Sequence, residues 1–443
     1  MNPFSPRLRE IRRACELGPL SDGGLTSYWV DTLEARDPHN DVRDVLRQRL
    51  EDSEDCKILF YGHGGSGKST ELNKLVTELD DAYLVVPLSV REEMSLTDVN
   101  GEDLILVLAE RLATRAQAAG LALDDEALQR VLDYFSTVSE TSKTEKAGSI
   151  KAELGAELKS PGLLSSLRSL FTTFKGEVRY EARSESTRIA RIRRRPGDLI
   201  NYTNLLINAV REALPHGQRL LFIVEDLDKL DIATARQVFI EKTNLLTGLN
   251  ANIIYTIPIF TFHSPDARIL HAQFQQNVSL PMIKVTGPNG ERAPGFEIAR
   301  RIVTRRLGED ALSADAMDLL LEKTGGVLQH AFEVIIGATL MRNAAVPLQA
   351  EHIRYSLNRK KADLRTEITL PYEPVPGLER REQLYERLRE CWHAQQANRP
   401  VKPGGQVIDQ VLLKSCALVE YNGERWLGVH PLAVEILQET GQD

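Results

Sequence analysis

Short apolar runs alternate with amphipathic stretches along the first two-thirds of the chain. Residues 57–61 (KILFY), 82–90 (AYLVVPLSV), 220–224 (LLFIV), 253–258 (IIYTIP) and 278–283 (VSLPMI) read as strands. The continuous apolar run at 220–224 is the pattern of a strand buried on both faces. Between the runs the period changes to that of a helix: Leu72, Leu75, Val76 and Leu79 form one stripe after the first strand. Further helices are predicted at 102–119, 198–214 and 232–246, with another near 41–51 inside a helical lead-in over 1–55. Strands alternating with helices predict a parallel sheet covered on both faces.

The remaining third follows different rules. Helices are predicted at 296–307, 314–323 and 327–342, the last two separated by Thr324-Gly325-Gly326, glycines suited to stopping a helix. Residues 406–415 predict a helix, 417–421 and 425–429 two strands joined by Asn422-Gly423 with Glu424, and a final helix follows His430-Pro431. Helix, hairpin, helix suggests a winged helix. The expected organisation is a lead-in at 1–55, an α/β core at 56–290, a helical lid at 291–345, and a helical linker with a winged-helix-like unit at 346–443. The core carries an insertion at about 121–197, rich in Ser, Lys, Glu and Arg. There Leu163, Leu164, Leu167, Leu170, Phe171 and Phe174 fall at helical spacing. That stripe fits packing against the core, a partner or self-assembly surface, or membrane contact.

Composition narrows the class. A chain of 443 residues has room for two or three domains. It has no apolar run of about 18 residues to span a membrane and no secretory signal at its start. Cys15, Cys56, Cys391 and Cys416 stand apart without a CxxC pair, as reduced thiols of a cytoplasmic protein do. A net charge of −8 gives no bulk argument for nucleic acid or anionic membrane. Arg188, Arg191, Arg193, Arg194 and Arg195 are a local exception, either a solvated helix end or a phosphate- or partner-binding patch.

The candidate chemistry lies after the first strand. Gly62-His63-Gly64-Gly65-Ser66-Gly67-Lys68-Ser69 satisfies GxxxxGK[ST] at every fixed position, with Thr70 next. Glycines let backbone N–H groups surround a phosphate, and the helix N-terminus that follows favours the anion. Lys68 is suited to the β- and γ-phosphates and Ser69 to Mg²⁺, so ATP and Mg²⁺ are the expected ligands. Glu225 and Asp226 end the 220–224 strand, where ligands bind in α/β sheets. Glu225 is placed to hold the metal and Asp226 to polarise the attacking water, with both as candidate metal residues beside Ser69. Asp228 could cap the next helix or assist either role. Thr256, near the end of the fourth strand, could sense the γ-phosphate or be an ordinary β-branched strand residue.

With Gly62–Ser69, Leu221–Asp228, Thr256 and Gly325-Gly326 in place, the chain resembles P-loop ATPases of the additional-strand class. Within that class it looks most like the AAA+ and STAND groups, including initiators of the origin-recognition type. Its Glu-Asp-Leu-Asp-Lys is similar to the Asp-Asp-Leu-Asp-Arg of STAND and KAP ATPases. The resemblance implies a three-layer P-loop core with strand order 5-1-4-3-2, a nucleotide-dependent switch and homo-oligomers. It departs from the pattern in two places. Glu225 replaces an Asp, and the lid turn is followed by Gln329 and His330 rather than by the arginine that touches the γ-phosphate. Gln329 is therefore the nucleotide-facing candidate on the lid, and Arg305 and Arg306 are candidates for an arginine supplied elsewhere. Three functions fit: a switch acting on a separate effector protein, as in prokaryotic signalling or antiphage defence; a DNA-binding initiator or loader; and a slow ATP-dependent assembly scaffold. Against DNA, the helix at 406–415 carries Lys414 as its one basic residue.

Overall fold

Five parallel strands form the central sheet of the computed structural model: β1 (Lys57–Gly62), β2 (Tyr83–Ser89), β3 (Arg219–Glu225), β4 (Asn252–Pro258) and β5 (Gln276–Ser279). Their order is β2-β3-β4-β1-β5, which from the other edge is the expected 5-1-4-3-2. Described residues are 5–16, 18–140, 162–180, 187–287, 291–372, 374–399, 401–402, 405–421 and 426–440. Side chains alternate across the sheet. Ile58 and Phe60 join Leu72 and Leu75 of helix Lys68–Leu79 and Leu46 and Leu50 of helix Val42–Glu51 in one core. Leu59 and Tyr61 join the opposite core, with helices Gly101–Ala118 and Pro196–Ala213. The result is the three-layer α/β arrangement. Pro87 lies within β2, which is tolerated because β2 is an edge strand.

Two elements differ from the sequence expectation. β5 ends at Ser279 rather than at 283, because the chain turns through Pro281 and Met282 bridges instead to Tyr421 near the C-terminus. The helix expected at 232–246 is broken into Ile232–Arg236, a π turn over Gln237–Glu241, and Thr243–Thr247. Thr243 Oγ1 donates back to the carbonyls of Phe239 and Ile240 at the break.

The insertion supplies helices Asp125–Glu140, Leu163–Tyr180 and Thr187–Arg193. Leu167, Leu170, Phe171 and Phe174 are buried, and Phe171 meets Phe135 edge-on at 4.8 Å between ring centroids, so the stripe is core. Arg193 of the basic run is paired with the buried Asp103. Among the described residues no helix is long and apolar enough to cross a membrane.

Helices Gly295–Leu307, Ala314–Thr324 and Leu328–Thr339 follow the sheet. The first of them holds the lead-in. Arg306 donates to the carbonyls of Ala14 and Glu16, capping helix Pro6–Ala14. Arg305 does the same for Thr26 and Ser27 at the end of helix Asp22–Tyr28. Arg7 reaches back to the Leu307 carbonyl at 2.6 Å and to Asp310. These arginines therefore satisfy the orphan carbonyls that every helix end leaves.

Helices Ala350–Glu367, Arg381–Gln396 and Val407–Lys414 come next, then β6 (Leu418–Tyr421), β7 (Trp426–Val429) and helix Pro431–Thr440. β6 and β7 pair antiparallel, and the turn expected at Asn422-Gly423 lies outside the described residues. Helix Val407–Lys414 packs against the Ile259–His263 turn after β4, burying Val411, Leu412 and Leu413.

Candidate functional site

The glycine loop leaves β1 at Gly62 and enters helix Lys68–Leu79 at Lys68. Gly65 and Gly67 take φ of +71° and +99°, which side chains other than glycine rarely adopt. A Cβ on Gly62 would come 2.6 Å from the Leu280 carbonyl oxygen. Gly64 has open space around it, and Ser66 is buried. Lys68 is buried, donating to the carbonyls of Gly62 (3.0 Å) and His63 (2.9 Å) and pairing with Asp228 at 2.8 Å.

The acidic end of β3 lies across from the loop. Glu225 accepts a hydrogen bond from the Ser69 side chain, while its Oε1 is buried without a hydrogen-bond partner among the described residues. Burial pushes the Glu225 carboxyl above its ordinary range, more than Ser69 lowers it, and the neighbouring Asp226 and Asp228 charges add to the rise. Asp226 stands in the left-handed region at φ +70°. Its carboxylate accepts from Ser89 Oγ at the end of β2 (2.5 Å) and from Lys229. Burial opposes its charge, yet the hydrogen bonds from Lys229 and Ser89 hold it below the usual range. Asp228 does not cap the following helix; Asp231 does, accepting from Thr234 N. Thr256 is buried opposite Phe60 of β1, and its hydroxyl bonds the Val224 carbonyl at 3.3 Å, tying β4 to β3 just before Glu225. Among the described residues no three His, Cys, Asp or Glu side chains converge to hold a metal alone.

Helix Leu328–Thr339 and the C-terminal elements both rest on the loop. Gln329 packs on Gly65 so closely that a Cβ there would overlap it, and its Nε2 donates to Glu333 (3.0 Å). His63 is buried, and its Nε2 accepts from the Glu420 backbone N–H of β6 at 2.8 Å. The Glu420 carboxylate lies 2.7 Å from His263 Nε2, both buried. Tyr421 OH donates to the Gly325 carbonyl at 2.8 Å, and His330 Nδ1 lies 3.1 Å from His430 Nε2. Burial is the main cause that lowers His63 and His330 each to about 3 and His430 well below 6.5, so all three are neutral at pH 7.

Two contacts from the lead-in were not legible in the sequence. Arg36 is buried, donating to Thr32 Oγ1 (2.8 Å), to the Ser66 carbonyl (2.6 Å) and to the Pro281 carbonyl. Burial lowers its pKa to about 10, partly offset by Glu71. Leu20 N donates to Thr70 Oγ1 (3.1 Å), and Asn73 returns a bond to the Leu20 carbonyl (2.9 Å). No spacing rule marks an arginine that reaches a loop 30 residues later. Arg36, Asn40, Glu71, Ser279 and Leu280 line a cavity of about 260 Å³ beside the loop.

No protein-family model matches the chain, and no curated protein matches it either. Solved structures align with it along nearly their whole length at low similarity. A Walker-type ATPase of Pyrococcus abyssi is 13% identical, with 96% of this chain and 99% of that one covered and a TM-score of 0.41. The ORC2 protein of Aeropyrum pernix, solved as ADPNP and ADP complexes, is 11% identical, covering 91% and 94%, with a TM-score of 0.39. The Cdc6p protein of Pyrobaculum aerophilum is 12% identical, covering 94% and 98%, with a TM-score of 0.34. Identities and TM-scores this low establish neither family nor function for this chain.

Proposed function

We propose that the chain binds ATP with Mg²⁺, hydrolyses the β–γ phosphoanhydride, and uses the nucleotide state to set how lid and C-terminal elements sit on the loop. One observation carries the proposal. Lys68 and Ser69 open a helix at the mouth of a glycine loop, and the Ser69 hydroxyl meets Glu225, whose Oε1 is buried without a hydrogen-bond partner among the described residues. A buried carboxylate oxygen in that position fits a hard cation taking oxygen ligands. The backbone N–H groups of Gly62–Thr70 would cradle the phosphates and Lys68 would neutralise them. Ser69 and Glu225 would hold Mg²⁺, which would supply positive charge beside the phosphates. Asp226, once released from Ser89 and Lys229, would accept the proton of the attacking water. Thr256 supports the site by joining β4 to β3, and Gln329 on Gly65 is the lid group nearest the phosphates. The nucleoside enters the cavity between lead-in and β5.

The biological role we favour is a switch that self-associates and acts on a separate effector, as in prokaryotic signalling or antiphage defence. An origin-type, DNA-reading role would first require helix Val407–Lys414 to leave the Ile259–His263 turn. The test is steady-state ATPase of the wild type, Lys68→Ala and Asp226→Asn over a range of protein concentration. Mg²⁺-dependent turnover is expected in the wild type alone, with Asp226→Asn still binding ATP. Specific activity that rises with concentration would indicate an arginine donated by a second copy. Wild-type turnover no faster than Asp226→Asn throughout would overturn the hydrolytic part of the proposal.

A further inference from the structure

We infer that Asp228 is the resting counter-ion of the loop lysine, a positioning residue that phosphate must displace before it can bind. This rests on the nucleotide reading of the same loop. An ammonium has three donors. Two of the Lys68 donors go to the Gly62 and His63 carbonyls, and its Nζ forms an ion pair with Asp228 Oδ2 at 2.8 Å, in a pair where lysine is 4% and aspartate 11% exposed. The other duties open to Asp228 belong elsewhere. Asp231 caps the following helix, Glu225 meets Ser69, and Asp226 is bound by Ser89 and Lys229.

The consequence is a competition. With Asp228 in place the charge of Lys68 is already neutralised, and a phosphate arriving there meets the carboxylate as well as the ammonium. The carbonyls bear no net charge and can stay on the lysine, so the carboxylate is the group that gives way. Removing its charge therefore favours phosphate binding, independently of any metal. A residue that held metal or nucleotide directly would behave oppositely, since its loss would weaken binding.

The experiment is calorimetric titration of the full chain with ATP and, separately, with inorganic pyrophosphate, each in Mg²⁺ and in EDTA. Wild type is compared with Asp228→Asn and with Asp228→Ser, the second serving if the first does not fold, and both changes are repeated in a Lys68→Ala background. Both variants should bind about tenfold tighter than wild type, about 1.4 kcal/mol, with and without Mg²⁺, and the gain should vanish in the Lys68→Ala background. Equal or weaker binding by both variants overturns the inference. A gain that persists without Lys68 also overturns it, because the effect would then be general charge removal. If wild type and every variant fail to bind ATP, it is the nucleotide reading that fails, and the inference falls with it.

Discussion

Replacing His63 with alanine should loosen the C-terminal hairpin while leaving the sheet untouched. His63 belongs to the loop by its backbone, yet its imidazole faces the other way and accepts the Glu420 N–H at 2.8 Å in a buried setting. Alanine leaves that N–H buried without an acceptor, a loss of about 1–3 kcal/mol, and opens a void where the ring stood. Because β6 is held to β7 by its own ladder, the cost falls on docking of the hairpin against the loop. A docking loss of that size corresponds to roughly 5- to 150-fold faster exchange through local opening. Hydrogen exchange followed by mass spectrometry or NMR reads it directly, at Leu418, Tyr421, Leu427 and Val429. Amides of β1, β3 and β4 serve as the internal reference. Unchanged exchange in the hairpin would show that His63 does not join the loop to the C-terminal elements.

Acidification should act on the same junction. Burial holds His63 and His330 at about 3 and His430 well below 6.5, whereas the unfolded or undocked chain titrates near 6.5. The packed state therefore binds fewer protons, and its stability falls as pH drops from about 6.5 toward 3. Between pH 7.5 and 5.5 each histidine contributes a loss of about 1.4 kcal/mol, roughly 4 kcal/mol for the three. Denaturant melts at the two pH values check this, and a flat profile would contradict it. Gly65→Ala places a Cβ at φ +71° against Gln329, so ATP affinity should fall at least about tenfold from backbone strain of about 1–2 kcal/mol and lid displacement; Gly64→Ala, with open space, should bind nearly as wild type by the same titration. Arg306→Ala removes the caps on Ala14 and Glu16 and a guanidinium stacked 4.8 Å over Phe332. It should cost about 1–3 kcal/mol in a thermal melt and leave turnover within a fewfold; a loss of about 10³ would make it an arginine finger instead.

What the sequence revealed and what it concealed divide along one physical line. β1, β3 and β4 are fixed by local apolar pattern, and their order is the one that the resemblance to P-loop ATPases implies. The glycine loop was legible because its chemistry is written in consecutive residues. Contacts set by tertiary docking were not. The shortened β5 depends on Met282 finding Tyr421, and the π turn at Gln237–Glu241 has no period of its own. Arg305 and Arg306 looked like catalytic candidates and instead cap helices almost 300 residues earlier. Helices Ala350–Glu367 and Arg381–Gln396 are too polar along their length for a sharp apolar period, and the sequence indicated only a helical linker there.

The long reach of those caps has a consequence for how the protein is made. Helix Pro6–Ala14 is short and hides Leu8 and Ile11 against partners that include helix Leu328–Thr339. Arg7 bonds the Leu307 carbonyl across 300 positions. At ribosomal rates of about 5–20 residues per second, the helix leaves the tunnel roughly 15–60 s before that partner exists. A helix of nine residues is not stable alone. During synthesis the N-terminal segment is therefore an undocked, largely charged stretch of chain whose Leu8 and Ile11 have no cover. The core sheet can close first, and the segment docks only once helices Gly295–Leu307 and Leu328–Thr339 have emerged.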